Sequence, residues 1–464
     1  MLDYLIVNGR LLDPETGNGF MGGLGITGDK ITALYPPGAH MPKSSGLVDA
    51  RGGLVMPGII DVHAHTDNDV LCAERLLAQG VTTVLSGNCG ISPLHIKTFF
   101  NEREKTGFPV HQAEQIGHTA LRDAAGLTGV YAAARDGQIE RMKELARRAF
   151  EEGAYGLSFG LEYVPGASNR EVVELAKTAG EAGRLVSIHT RLSKPGDLSA
   201  MEEALALPGL TGARVIISHL VYMYVGDELI RAIGLIREAR RRGADVWVDS
   251  GMYTTFASYA GTPLFEEEYF QNGDLSFEKL SAATGTYAGQ RMDYGKYRDM
   301  RQNYPQDIFL YELGSADDIY RAYALEDVLV STDAGPAPPG QGHPQNAASY
   351  PRFFRVMVRE RAQLSLLEGV RRCTLLPAQA LGLTNKGRLK AGADADITVL
   401  NLERLREKAD FPGAGIPDAA PEGVVHVFVA GKPAVLDEKR RHAVMAGLPL
   451  YPGNYLSKIP EAAV

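Results

Sequence analysis

Short apolar runs broken by turn-forming residues occupy both ends of the chain. Residues 4–7 (Tyr-Leu-Ile-Val) lead into Asn8-Gly9, a strong hairpin signal, and residues 10–13 come next, so a tight hairpin is predicted there. Residues 24–26 and 30–34 flank Thr27-Gly28-Asp29 and predict a second hairpin. Residues 396–400 and 424–429 have the same texture, the latter running into Ala430-Gly431-Lys432. Two strand-rich ends around a different middle predict one small β-sandwich domain built from residues 1–54 and 385–464. The arrangement is cheap, because the termini of a domain commonly lie close together.

Between the ends the rhythm changes. Strand-like segments recur at residues 59–65, 82–86, 155–159, 185–189, 215–219, 245–249 and 328–333. Helical patterns separate several of them, at residues 139–153, 169–183 and 226–243. Such alternation implies a parallel sheet with helical crossovers. Residues 115–118 bring the strand count to eight. The expected fold is therefore α/β, a (β/α)8 TIM-type barrel over residues 55–384. Residues 254–324, rich in Tyr, Glu and Gly, exceed what a minimal barrel needs. They are expected to form a mostly ordered insertion over the active-site mouth, as long segments in compact domains often do.

A chain of 464 residues can bury a large core and carry a satellite domain. Its 45% apolar and 22% charged residues are ordinary for a globular protein. The formal net charge of -8 argues against nucleic acid or an anionic membrane as partner. Met1-Leu2-Asp3-Tyr4 places an acid where a secretory signal carries basic residues. The apolar runs fall far below the roughly 18 residues of a spanning helix. Three cysteines make no disulfide framework in a chain this long, so a reducing cytoplasm is the expected location. A homo-oligomer is allowed but not required.

The candidate chemistry lies at the ends of the middle strands. His63 and His65 are two apart in a strand, so their imidazoles face one side and can share a metal. Three more apolar runs end in a potential ligand or base: His189, His219 and Asp333. In a barrel the strand ends converge on one rim, which would bring these distant residues together. Cys89 sits in the loop Gly87-Asn88-Cys89-Gly90 beyond the second strand. It reads either as a thiolate zinc ligand or as an inert small residue in a tight turn. Cys72 and Cys373 fall in helical contexts and read as packing residues.

Several segments occur in an order that resembles one family. They are residues 61–65, Ser86-Gly87-Asn88-Cys89-Gly90, residues 117–122, residues 156–163, His189, Ser218-His219 and Thr332-Asp333-Ala334-Gly335. The series is similar to the N-acyl-D-amino-acid deacylases (D-aminoacylases) of the amidohydrolase superfamily, and the likeness spans essentially the whole chain. Residues 386–396 resemble that superfamily's entry into its small β-domain. The resemblance implies one tightly bound zinc on Cys89, His189 and His219, with His63 and His65 forming a second, optional site. It makes Asp333 the general acid/base, and Tyr163, Arg191 and Tyr253 substrate contacts. Arg352 is a further candidate contact for the substrate. His118 and Arg122 match a motif that supports the ligands from behind.

The likeness also departs from its pattern. The deacylases commonly hold the substrate's α-carboxylate with a lysine and an arginine, and the matching positions here are Val221 and Gln345. Related cyclic amidases carry a carboxylated lysine at the end of the fourth strand, and residues 155–159 end without one. The leading expectation is zinc-dependent hydrolysis of a linear amide in a small-molecule N-acyl substrate. The alternatives are a cyclic-amide hydrolase resembling hydantoinases and dihydroorotases, and a non-catalytic barrel scaffold.

Overall fold

The computed structural model describes residues 1–191, 196–441 and 444–452. Strands from both ends of the chain interleave in one nine-stranded sheet. Its path runs Lys439–Arg440, Lys432–Leu436, Val424–Val429, Ile397–Leu400, Leu54–Pro57, Leu2–Leu12, Gly19–Thr27 and Lys30–Tyr35, with Ser44–Asp49 beside Leu2–Leu12. The sandwich expected of the two ends is thus hydrogen-bonded as one continuous sheet. Ile6, Leu24, Ile26, Val55, Ile397 and Phe428 form its separate core.

The Asn8-Gly9 signal has a different outcome from the hairpin it predicts. Leu2–Leu12 is one strand, and its pairing with Gly19–Thr27 slips between Ile6 and Gly9. Asn8 takes the left-handed region at φ 55°, and a Cβ on Gly9 would lie 2.4 Å from the Val55 side chain. These residues make a bulge that lets the strand run close beside Leu54–Pro57, with which it pairs just beyond. The second expected hairpin does form, pairing Thr27 with Lys30 around Gly28.

The middle of the chain is mixed α/β with parallel strands. Ile59–Asp61, Val81–Ser86 and His111–Glu114 form one parallel sheet. Ile116–Gly117, Gly156–Gly160, Leu185–His189, Val215–Ile217, Val246–Ser250 and Val328–Val330 form a second, in sequence order. Backbone bonds join the two sheets at both margins. Tyr155 N donates to Glu114 O at 2.7 Å, Asp333 N to His63 O at 2.9 Å, and His65 N to Ala334 O at 2.6 Å. The strand expected at residues 115–118 appears as Ile116–Gly117, and just before it His111–Glu114, three of whose four residues are polar, forms a strand that the apolar pattern misses.

Helices Asp136–Glu151, Asn169–Glu181 and Gly226–Arg241 fill the predicted crossovers. The first shows why they form: Ile139, Met142, Ala146, Ala149 and Phe150 recur at helical spacing and are buried. Ser168 caps the second by accepting from Glu171 N. His118 and Arg122 meet the buried Glu171 at 2.8 and 2.6 Å, a structural cluster behind the fourth strand. Residues 254–324 carry their own antiparallel sheet of Thr255–Tyr259, Ile308–Glu312 and Leu280–Ala282, and their own core around Phe265, Tyr297 and Phe309. Among the described residues no helix is long and apolar enough to cross a membrane.

Candidate metal centre

The C-terminal ends of the parallel strands and the loops just beyond them bring six side chains together. Two groups of potential ligand atoms each lie within 4.8 Å of one another: His63, Cys89 and His219, and His63, His65 and Asp333. His63 belongs to both. Its Nε2 stands 3.3 Å from Cys89 Sγ and 3.4 Å from Asp333 Oδ1. His65 Nε2 is also 3.4 Å from Asp333 Oδ1, and His219 Nε2 is 3.7 Å from Cys89 Sγ. The ring of His189 lies 4.5 Å from that of His219.

The division expected from the resemblance therefore shifts in one respect. His63, not His189, shares the close group with Cys89 and His219. His189 turns its Nε2 to Glu162 at 2.7 Å, which leaves its buried Nδ1 without a partner. The buried Nδ1 of His219 is likewise unpartnered.

Backbone conformation places these groups. Cys89, His219 and Asp333 all take the left-handed region, at φ 52°, 34° and 55°. Such conformations cost of order 1–3 kcal/mol each and persist only where the surroundings enforce them. Here they do. Asn88 donates to Ala64 O and Leu85 O and accepts from Gln115 and Ser187, pinning the Cys89 loop to four strand ends. A Cβ on Gly160 would fall 2.0 Å from Cys89 O, so only glycine lets the fourth strand pass the loop. Asp249 Oδ1 accepts from His219 N at 2.9 Å and Ser331 Oγ at 2.6 Å. Its Oδ2 faces His63 Nδ1 at 3.4 Å. Asp61, fully buried, accepts from His63 N and from both the N and Oγ1 of Thr332, clamping the first strand to the last.

The titratable groups of the cluster shift one another. Burial alone would raise the Cys89 thiol, but the charge of His63, the nearby His189, and hydrogen bonds with His219 and His63 hold it well below the usual range. Burial also opposes the charged form of Asp333, and its contact with His65 and the charges of His63, His219 and His65 outweigh it, so its carboxyl is lowered. Against their own burial, His65 rises to about 10 beside Asp333 and Cys89, and His189 to about 10 beside Cys89 and Glu162. The shifts are mutual, the anionic groups raising the imidazoles and the imidazoles lowering the acids. A thiolate with imidazoles, two of which carry orphaned ring nitrogens, is a donor set that fits zinc. The carboxylates Asp249 and Glu162 hold the outward nitrogens of His63 and His189, the arrangement that orients metal-bound imidazoles.

Cavities flank the cluster. The larger, about 760 Å³, is lined by His65, Cys89, His219 and Asp333 and walled by Ile91, Val130 and Pro305 among others. Ala257, Ser258, Tyr259 and Ile308 of the 254–324 segment complete that wall. A second of about 570 Å³ shares Tyr163, His219, Ala257 and Asp333 with it.

The expected substrate contacts separate. Tyr163 lines both cavities, its ring 4.8 Å from His189 and its hydroxyl 3.5 Å from Ser258 Oγ. Arg191 reaches the smaller cavity but grips Glu203 through two bonds of 2.7 and 3.1 Å. Tyr253 and Arg352 line neither cavity. Arg352 stacks 4.9 Å over the Tyr253 ring, donates to Met252 O and pairs with Glu407, so its charge is already satisfied. Tyr253 packs edge-on against His343, and this stack supports the cavity wall from behind.

The sequence pattern assigns no role to Glu162, Asp249 or Gln345. Asp249 carries a signal, since it ends a strand candidate just as His189 and Asp333 do. The pattern reads Gln345 only as the position of a missing arginine, because its tie to Asp333 O at 2.6 Å and its acceptance from the Tyr222 hydroxyl at 2.9 Å depend on the fold.

Comparison with known proteins agrees with the geometry. The sequence model described as the Amidohydrolase family matches residues 54–434. The D-aminoacylase of Alcaligenes xylosoxydans xylosoxydans is 27% identical, over 93% of this chain and 94% of that protein. The N-acyl-D-glutamate deacylase of Bordetella bronchiseptica, solved with zinc and a phosphonate inhibitor, superposes with a TM-score of 0.85 at 26% identity, over 97% of this chain and 99% of its own. The L-hydantoinase of Arthrobacter aurescens is more distant, with a TM-score of 0.64 at 18% identity, over 97% of this chain and 100% of its own.

Proposed function

The chain belongs to the amidohydrolase family, and from that premise we propose that it is a zinc-dependent hydrolase of a linear amide in an N-acyl compound, akin to the N-acyl-D-amino-acid deacylases. The observation that carries this reading is the convergence of the Cys89 thiol with three imidazoles and the Asp333 carboxylate at the strand ends. We read the two parallel sheets as the wall of one (β/α)8 barrel over residues 55–384, with residues 254–324 inserted over its mouth.

Cys89, His219 and His63 would hold one zinc, with His189 offering its orphaned Nδ1 as a further ligand. His65 and Asp333, with His63, could hold a second. When bound, zinc supplies Lewis acidity to the amide carbonyl and acidifies a water. Asp333 accepts the proton of the attacking water and returns it to the leaving nitrogen. The contact with His65 and the charges of His63 and His219 favour its ionised form, the form able to accept a proton. His63 and His65, 3.4 Å from its Oδ1, hold that carboxylate in place. Tyr163, beside His189 at the junction of the cavities, stands where it can orient the acyl portion.

The cyclic-amide alternative is weaker. The fourth strand ends at Gly160 with no lysine, and the likeness to a hydantoinase is the lower of the two structural matches. A scaffold has no reason to hold three non-glycine residues in left-handed conformations around one cluster.

The test is metal analysis joined to an amide screen. Purified protein should carry zinc, release acid from N-acyl compounds, lose that activity to a chelator and regain it with added zinc. Full turnover by metal-free protein would sink the reading.

A further inference from the structure

Charge is unevenly distributed around the cavities that flank the metal cluster. Their described lining residues include six carboxyl groups, from Asp67, Glu162, Glu228, Glu268, Asp274 and Asp333. Against these stands one guanidinium, Arg191, which Glu203 neutralises through two hydrogen bonds. Among the described residues the larger cavity has no lysine or arginine in its lining. Its non-ligand histidine, His343, is lowered to about 3 by burial and stays neutral, donating Nε2–H to Thr255 O and accepting Gln345 N at Nδ1. Outside the metal cluster, then, the larger cavity offers no positively charged side chain among the described residues.

Apart from Asp67 and the metal cluster itself, the polar groups that line the larger cavity among the described residues are neutral. Gln345, beside Asp333, spends its amide on Asp333 O and the Tyr222 hydroxyl, locking the acid's loop instead of offering a charge. Ile91, Pro93, Val130, Pro263, Pro305 and Ile308 supply an apolar wall. Among the described residues a desolvated carboxylate placed here would meet Asp67 and no lysine or arginine outside the metal cluster, and an unpaired buried charge is costly. An apolar group would instead gain about 25 cal/mol per Å² buried.

Resting on the hydrolase reading above, we propose that the substrate is an uncharged N-acyl amide whose amine portion carries no carboxylate and a sizeable apolar group. The preferred compounds are N-acyl amines and N-acyl amino-acid amides, with free N-acyl amino acids disfavoured.

A matched series tests this on the zinc-loaded protein: N-acetylphenylalanine of each hand, its carboxamide, and N-acetyl-2-phenylethylamine, which share acyl group and ring. The two uncharged compounds should exceed the acid in kcat/KM by about 100-fold or more, the scale set by an unpaired buried charge. Titration calorimetry with chelator-stripped protein should show the same order of affinity without turnover. Gln345→Arg, which puts a cation beside Asp333, should narrow the gap at least tenfold by helping the acid. Lys194 lies outside the described residues, so Lys194→Ala is included and should leave the ratio unchanged. Faster hydrolysis or tighter binding of the free acid would overturn the proposal while leaving the hydrolase reading intact. A Lys194→Ala variant that selectively loses the acid would do the same and name the missing cation. If zinc-loaded protein cleaves no compound of the series or of a wider N-acyl panel, both readings fail together.

Discussion

Replacing Asp333 by asparagine separates proton transfer from architecture. Asparagine tolerates the left-handed backbone at φ 55°, and the bonds from Asp333 N to His63 O and from Gln345 Nε2 to Asp333 O do not involve the changed atoms. The amide keeps the carboxylate's shape but cannot take a proton at the position that faces both His63 and His65 at 3.4 Å. A positioned acid/base contributes about 10²–10⁴ in rate, which is about 2.7–5.4 kcal/mol of barrier. We therefore expect kcat to fall by two to four orders of magnitude, with KM changed by less than about threefold, because the loss lies in the transition state. The Cys89–His63–His219 group does not include Asp333, so zinc bound there should remain. Steady-state kinetics on the best uncharged substrate, with metal analysis of the same sample, read both quantities. An Asp333→Asn variant retaining more than about a tenth of kcat with unchanged zinc would refute the acid/base assignment.

Neighbouring contacts lead to three more expected outcomes. Glu162→Gln leaves the His189 imidazole without its 2.7 Å anionic partner, and should weaken zinc retention or activity by about 10–100-fold, read by competition with a chromophoric chelator. Gly160→Ala forces a methyl to within 2.0 Å of Cys89 O; it should destabilise by about 1–3 kcal/mol in urea unfolding and lower zinc content, and a variant indistinguishable from wild type would contradict the close approach. Asp396 is held well below its ordinary value, because the charges of His111 and Lys386 outweigh its burial. Its folded pKa lies below the unfolded one, so the stability it confers is present above about pH 4 and lost as pH falls further. Urea unfolding of chelator-stripped protein should thus show a smaller drop from pH 6 to pH 3 for Asp396→Asn than for wild type, and equal drops would reject the linkage.

Much of the fold is legible in the sequence because it depends on local periodicity. The strand and helix alternation at residues 155–249 survives almost residue for residue, since buried parallel strands need apolar runs and their crossovers need helical spacing. The pattern finds Ile116–Gly117 but misses His111–Glu114, because the burial of those polar residues depends on partners elsewhere, such as Asp396 for His111. The Asn8-Gly9 bulge reads as a turn for a similar reason. The dipeptide correctly implies the left-handed conformation, but Val55, on a strand paired alongside, decides the path of the chain beyond it.

The sequence alone determined which side chains stand at or just beyond strand ends: His63, His65, His189, His219 and Asp333 each close an apolar run. Tertiary structure decided how they combine. Only the folded chain shows that His63 sits between the two ligand groups, that Glu162 claims one nitrogen of His189, and that Tyr253 and Arg352 pack behind the wall. Only it shows that Glu203 silences Arg191, and so sets the charge a substrate meets. The physical reason is range. Periodicity acts over a few residues, whereas ligand grouping and charge pairing depend on distances between atoms that the chain separates by tens to hundreds of positions.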